Sequence, residues 1–101
     1  MSNNLIKLVK IIRDRKNKDI DKSYTASLLS GGLSKCIDKM EEEFDELKEA
    51  LNDKSNIVHE AADTIYHILV SLEAADIKFE DVLKELESRK KQSGIEEKNN
   101  R

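Results

Sequence analysis

Apolar residues recur along the chain at steps of three and four, the period at which a helix gathers side chains on one face. Leu5, Leu8, Val9 and Ile12 predict a first helix over about residues 4–16. The pattern stops at the polar stretch Asn17–Tyr24, whose Asn and Asp residues favour turns, and Tyr24–Leu29 can add a short helical turn before Gly31 and Gly32 end it. This loop is read as an arm that reaches a ligand. A second helix is predicted from an N-cap at Ser34, with Ile37, Met40, Phe44, Leu47 and Leu51 as its packing seam. Asn52–Asn56 reads as a tight connector between antiparallel helices, with Ser55 or Asn56 capping a third helix over about residues 57–75. Phe79, Val82, Leu83 and Leu86 predict a fourth helix over about residues 79–91, and residues 93–101 read as a charged tail after Gly94. The expected fold is all-α: a small bundle of four main helices in one domain, residues 1–92.

The third helix is unlike an ordinary solvent-facing one. Residues 55–77 contain no Lys or Arg, although the whole chain has 18. Ile57, Val58, Ala61, Ile65, Ile68, Leu69 and Leu72 spread over a wide arc, more apolar surface than one small bundle covers, so a homodimer is expected. The remaining stripe holds Glu60, Asp63, Thr64, His67 and Ser71.

Composition narrows the class. The chain has no Pro, and its single cysteine, Cys36, cannot pair within the chain, which fits a reducing, cytoplasmic setting. The run Ile68-Leu69-Val70 is too short to cross a bilayer, and Met1–Asn4 lacks the layout of a secretory signal. A net charge of −3 gives no general pull toward nucleic acid or anionic membranes. That charge is uneven, however. Lys7, Lys10, Arg13, Arg15, Lys16 and Lys18 cluster on or just after the first helix, and Glu41, Glu42, Glu43, Asp45 and Glu46 on the second.

An antiparallel pairing of the second and third helices about their connector sets Glu46 level with Glu60 and Glu43 level with Asp63, on rungs ~4.5 Å apart. An acidic run on one helix is ordinarily a solvated face. Two matched acidic steps, one on a helix devoid of cations, are harder to explain that way. Two like charges ~4 Å apart cost about 4 kcal/mol at an effective dielectric of ~20, so the cluster calls for an external cation. Clustered carboxylate oxygens suit Mg²⁺ or Mn²⁺; zinc is disfavoured because only Cys36, His59 and His67 offer softer donors. Mg²⁺ commonly shares its coordination with phosphates, which points to pyrophosphate-bond chemistry.

These residues carry a family resemblance. Arg15-Lys16, Ser23-Tyr24-Thr25-Ala26, the run Lys39 to Glu46 and the run His59 to His67 resemble the phosphoribosyl-ATP pyrophosphatases of histidine biosynthesis, within the all-α MazG-like nucleotide pyrophosphatases. The shared pattern is E-E-x-x-E followed by E-x-x-D. The resemblance implies Mg²⁺-dependent hydrolysis of the α–β bond of phosphoribosyl-ATP to phosphoribosyl-AMP and pyrophosphate. It implies Glu43, Glu46, Glu60 and Asp63 as metal ligands, and Glu42 as a further ligand or the group that orients the attacking water; Glu42 and Glu43 are the catalytic candidates, with the choice of base left open. Arg15, Lys16, Tyr24, Thr25 and Lys39 fall on the substrate side. His67 is read either as a substrate or ligand contact or as a buried structural histidine. Three positions depart from the family pattern: Glu41 and Phe44 replace small residues and Ile20 replaces a proline.

Two other readings use the same carboxylates. One is a pyrophosphatase that clears surplus or non-standard nucleoside triphosphates. The other is a non-enzymatic helical dimerisation module whose acidic face docks a basic partner.

Overall fold

The computed structural model describes residues 2–90, which form five helices and, among the described residues, no strand. They are α1 (Ser2–Arg15), α2 (Tyr24–Ser30), α3 (Gly32–Asp53), α4 (Ile57–Ala74) and α5 (Phe79–Arg89). The all-α expectation holds. The expected short turn is a full helix, α2, because Ser23 caps it by accepting from the Ala26 N–H at 3.1 Å and Leu28 anchors it in the core. The tail expected over residues 93–101 lies outside the described residues.

One capping expectation is corrected, and the other holds in position: Asn56 is the N-cap of α4. The helix α3 starts at Gly32, not after Ser34, and its cap, Gly31, makes no side-chain bond. The chain reverses at Gly32 with φ +85°, a conformation glycine adopts without strain, so the glycines start one helix as they end another. At the connector, Lys54 and Asn56 both take left-handed backbone (φ 55° and 57°), and Asn56 precedes α4 without a side-chain cap bond. The reversal is closed instead by the Ser55 N–H donating to the Ala50 carbonyl at 3.1 Å.

The core gathers Val9, Ile12, Leu28, Cys36, Leu69 and Val70, with Leu5, Leu8, Tyr66 and Phe79 packed around it. It therefore sits among α1, α2, the start of α3 and the second half of α4. The α3–α4 hairpin runs on past that core, and polar staples fix its register. Thr64 donates to the Glu43 carbonyl at 3.2 Å, and Ser71 donates to the Cys36 carbonyl at 3.3 Å. Seven residues separate the two contacts on each helix, so the register does not drift, and it agrees within one residue with the antiparallel rungs drawn from sequence.

The expected α3 seam is split. Met40 and Leu47 lie half-buried, in line with the buried, small Cys36 and Ala50 that let α4 approach. Ile37, Phe44 and Leu51 remain 38%, 41% and 53% exposed on the outside of the hairpin. At ~100° per residue, Phe44 of α3 and Ile65 of α4 fall on one side of the hairpin seam, and Glu46 and Asp63 on the other.

Candidate active site

The first turns of α4 and the middle of α3 bring the expected carboxylates together. Ligand oxygens of Glu43, Glu46 and Glu60 lie within 4.8 Å of one another. Glu60 belongs also to a second group with Asp63 and His59, whose donor atoms meet within the same limit. Thr64 sits at the centre of this region and, besides its bond to the Glu43 carbonyl, donates to the Glu60 carbonyl at 2.8 Å. One hydroxyl thus ties the backbone beneath both carboxylates.

The electrostatics are those of a site short of positive charge. Desolvation, then hydrogen bonding to Glu46 and repulsion from Glu46, Asp63 and Glu60, push the Glu43 carboxyl up to about 7. Glu60 is raised by the same causes, burial first and Glu46 next, while His59 opposes. Oε2 of Glu43 is buried without a hydrogen-bond partner. A buried carboxylate oxygen is costly unless something pairs with it. An orphaned oxygen facing further carboxylates is the environment a divalent cation satisfies, and the donor set is oxygen-rich as hard cations prefer. The residues present therefore fit a divalent ion.

Around this cluster the other expected residues are distributed unequally. His67 is buried, with Nε2 3.9 Å from Oε1 of Glu43, and burial lowers its pKa below the ordinary histidine range. Tyr24 and Tyr66 meet its ring edge-on at centroid distances of 6.1 and 5.3 Å, and the Tyr66 hydroxyl is hydrogen-bonded to Thr25. So His67, Tyr24 and Thr25 form one aromatic and hydroxyl wall beside Glu43. Tyr24 is 58% exposed, yet local desolvation raises its hydroxyl pKa against the pull of Lys39. Lys39 is bonded to Glu42 at 3.2 Å, one turn along the same helix. Glu42 itself is 62% exposed at its side chain and stands outside both ligand groups.

The two basic residues diverge. Arg15 lines a cavity of about 450 Å³ together with Ile11, Asp14, Lys18, Asp19, Lys22 and Ser23, next in sequence to Tyr24. Lys16 turns elsewhere: its Nζ is 2.6 Å from Asp76 and 3.6 Å from Glu73, at the far end of α4. Ten residues separate Asp63 from Glu73, ~15 Å of helix rise. Of the three departures from the family pattern, Phe44 and Ile20 are 41% and 54% exposed, and Phe44 lies on the side of the hairpin away from the carboxylates.

Three residues at the site carry no individual role in the sequence pattern. His59 was noted only as a soft donor, although its spacing of four from Asp63 puts both on one helix face. Lys18 and Lys22 join Arg15 around the cavity only because the polar loop folds back, which no local pattern announces.

The phosphoribosyl-ATP pyrophosphohydrolase family matches residues 5–90. A phosphoribosyl-ATP pyrophosphatase of Rhizobium etli is 42% identical over 99 residues, 96% of this chain and 92% of that protein. Those of Roseobacter denitrificans and Ruegeria pomeroyi are 47% and 46% identical over 92 and 93 residues, covering 89% and 90% of this chain and 88% and 89% of theirs. With both ligand groups and the hairpin inside the matched span, the chain belongs to the phosphoribosyl-ATP pyrophosphohydrolase family.

Proposed function

We propose that this protein hydrolyses the α–β phosphoanhydride of phosphoribosyl-ATP, giving phosphoribosyl-AMP and pyrophosphate in the histidine pathway, with Mg²⁺ as cofactor. The observation that carries the reading is the convergence of Glu43, Glu46 and Glu60 from two helices, with one buried oxygen unpartnered, in a chain of this family. Glu43, Glu46, Glu60 and Asp63 would hold the metal. Bound there, Mg²⁺ supplies charge neutralisation for the phosphates and activates water at neutral pH.

The chain's own residues do the rest. Glu43, with one buried oxygen that no protein group satisfies, would face the attacking water as a carboxylate and accept its proton, and Glu42 would orient that water. Lys39 neutralises Glu42 and offers its ammonium to a phosphate oxygen. Tyr24, Thr25 and His67 make the wall against which the nucleotide packs. Arg15, with Lys18 and Lys22, presents positive charge in the adjoining cavity, suited to a substrate phosphate. Residues 1–92 are the catalytic domain, and the protein works in the cytoplasm.

The exposed apolar stripe of Phe44, Leu51, Val58 (85% exposed) and Ile65 runs along the opposite side of the hairpin and is read as the seat of a second copy. Among the described residues no helix is long and apolar enough to cross a membrane. Light scattering of Val58→Glu tests the dimer: half the wild-type mass is expected, and an unchanged mass rejects it.

Incubation with phosphoribosyl-ATP, with and without Mg²⁺, tests the activity. Phosphoribosyl-AMP and pyrophosphate are expected only with the metal. Faster hydrolysis of ordinary or damaged nucleoside triphosphates would transfer the assignment to a clearing enzyme, and no hydrolysis of any would leave a binding module.

A further inference from the structure

The end of α1 and the loop after it divide their basic residues into two sets. Arg13 and Lys16 are held by Glu73, Asp76 and Glu80. Arg15, Lys18 and Lys22 line the cavity of about 450 Å³, and among the described residues none of these three side chains is in an ion pair or hydrogen bond. A left-handed Asn17 (φ 68°), a conformation asparagine tolerates, turns the loop back on α1. The Lys18 and Lys22 N–H groups then hold the turn by donating to the Arg15 and Asp19 carbonyls at 3.1 Å each. Asp14 and Asp19 share the concavity, and Oδ1 of Asp19 is already engaged by the Asp21 N–H at 2.9 Å. Three unpaired cations against two carboxylates leave the cavity positive, and its volume suits a small-molecule group.

None of the lining residues belongs to either acidic ligand group. Tyr24 bridges the two regions: it follows Ser23, which lines the cavity, and meets His67, which lies against Glu43. Its largely exposed ring offers a surface to a base. Phosphoribosyl-ATP has the same layout, with a triphosphate at one end, a purine in the middle and a ribose 5-phosphate at the other.

We infer that the cavity is the subsite for the phosphoribosyl end of the substrate, with Arg15, Lys18 and Lys22 taking its monophosphate and Asp14 and Asp19 accepting from its ribose hydroxyls. The inference rests on the activity proposed above and adds what sets that substrate apart from an ordinary nucleoside triphosphate. The β- and γ-phosphates adjoin the bond that is cut, so they stay with the carboxylate cluster and Lys39. A bare phosphate group would use the cations alone, whereas cations mixed with carboxylates suit a sugar phosphate.

The test compares two substrates of the full chain, phosphoribosyl-ATP and 1-ribosyl-ATP, which lacks only the monophosphate. Wild type should hydrolyse the ribosyl compound with kcat/KM lower by about tenfold or more, the scale of a few charge-assisted hydrogen bonds, and by less at high salt. Lys18→Gln/Lys22→Gln should lose about as much on phosphoribosyl-ATP, mainly in KM, and fall by less than about threefold on 1-ribosyl-ATP, which has no monophosphate to lose. Lys18→Arg/Lys22→Arg should restore the preference, which a mere folding role for the loop would not require. Equal kcat/KM for the two substrates in wild type, a loss in the Gln variant that falls on both alike, or no loss at all overturns the subsite and leaves the activity standing. Hydrolysis of neither substrate by wild type overturns the proposed activity and the subsite with it.

Discussion

The helix α4 carries acidic residues at both ends of its length, and the protein treats them in opposite ways. At the C-terminal end, Glu73 meets Arg13 at 3.4 Å and Lys16 at 3.6 Å. Just beyond it, Asp76 meets Lys16 at 2.6 Å and Glu80 meets Arg13 at 3.0 Å. Those contacts pin α1 to α4 and α5. Toward the N-terminal end, Glu60 and Asp63 face Glu43 and Glu46, and among the described residues no Lys or Arg is paired with any of the four. The chain has cations within a few turns, but Lys39 is bonded to Glu42, and Arg13 and Lys16 are committed to the far end. The residue types are the same; what differs is whether the fold supplies the counter-charge. An acid cluster with cations of its own builds the fold, and one without them waits for a ligand.

The contrast is broken most sharply by removing one unpaired acid. Glu60→Gln should cut turnover of phosphoribosyl-ATP by at least about a thousandfold, on the scale of losing a charged group that stabilises a transition state. Circular dichroism should show the helices intact, since the change relieves repulsion and leaves the packing of Leu69 and Val70 untouched. Activity within tenfold of wild type would deny the cluster its role.

Metal should then separate the two ends. Saturation with Mg²⁺ at about a hundred times its dissociation constant stabilises a folded protein by about 2.7 kcal/mol, which for a chain this size raises Tm by about 10 °C or more. Thermal melts of wild type should show that rise and melts of Glu60→Gln should lose most of it. Arg13→Met, at the paired end, should keep it. An equal Mg²⁺ response in both variants would mean that the ion reads surface charge in general.

The same two ends should answer pH with opposite signs. Glu43 titrates near 4.5 in the unfolded chain and about 7 in the fold, so between those values the folded state holds the extra proton. Stability from this group is highest at the acid end of that window and falls as pH rises through it. Glu80 behaves the other way. Its bond to Arg13 holds its pKa below the ordinary value, so its contribution is present above about 4.5 and is lost as pH falls through the folded value. Metal-free urea melts should therefore show Glu43→Gln gaining on wild type as pH rises from about 5 to 8. Arg13→Met should lose most above about pH 5 and converge on wild type in stronger acid.

Much of this contrast was legible in the chain, because local periodicity and short-range register govern it. The cation-free stretch of residues 55–77 marked α4, and counting outward from the connector brought Glu46 opposite Glu60 with an error of no more than one residue. What the sequence concealed depends on distant partners. Lys16 and Asp76 lie sixty residues apart, and no helical period predicts their meeting. The seam of α3 divided because small residues, Cys36 and Ala50, set how closely the helices approach, whereas hydrophobicity alone favours Phe44 and Leu51. Gly31 and Gly32 read as a stop because glycine ends helices more often than it starts them.

Lys16 gives the smallest effect and the finest test. The family resemblance puts it among substrate residues, but its ammonium is bonded to Asp76 and reaches the Glu73 carboxylate and carbonyl. Surface ion pairs contribute little, so Lys16→Met should lower Tm by only about 2–5 °C, more at low salt than at high. If its role is to pin α1, then kcat/KM for phosphoribosyl-ATP should stay within about threefold of wild type, and Asp76→Asn should reproduce the same small loss of stability. A fall in kcat/KM of more than tenfold at unchanged Tm, absent from Asp76→Asn, would show instead that Lys16 leaves its partner when substrate arrives. In that case the paired end of α4 would belong to the binding site as well, and the division between the two acid clusters would be one of resting state rather than of role.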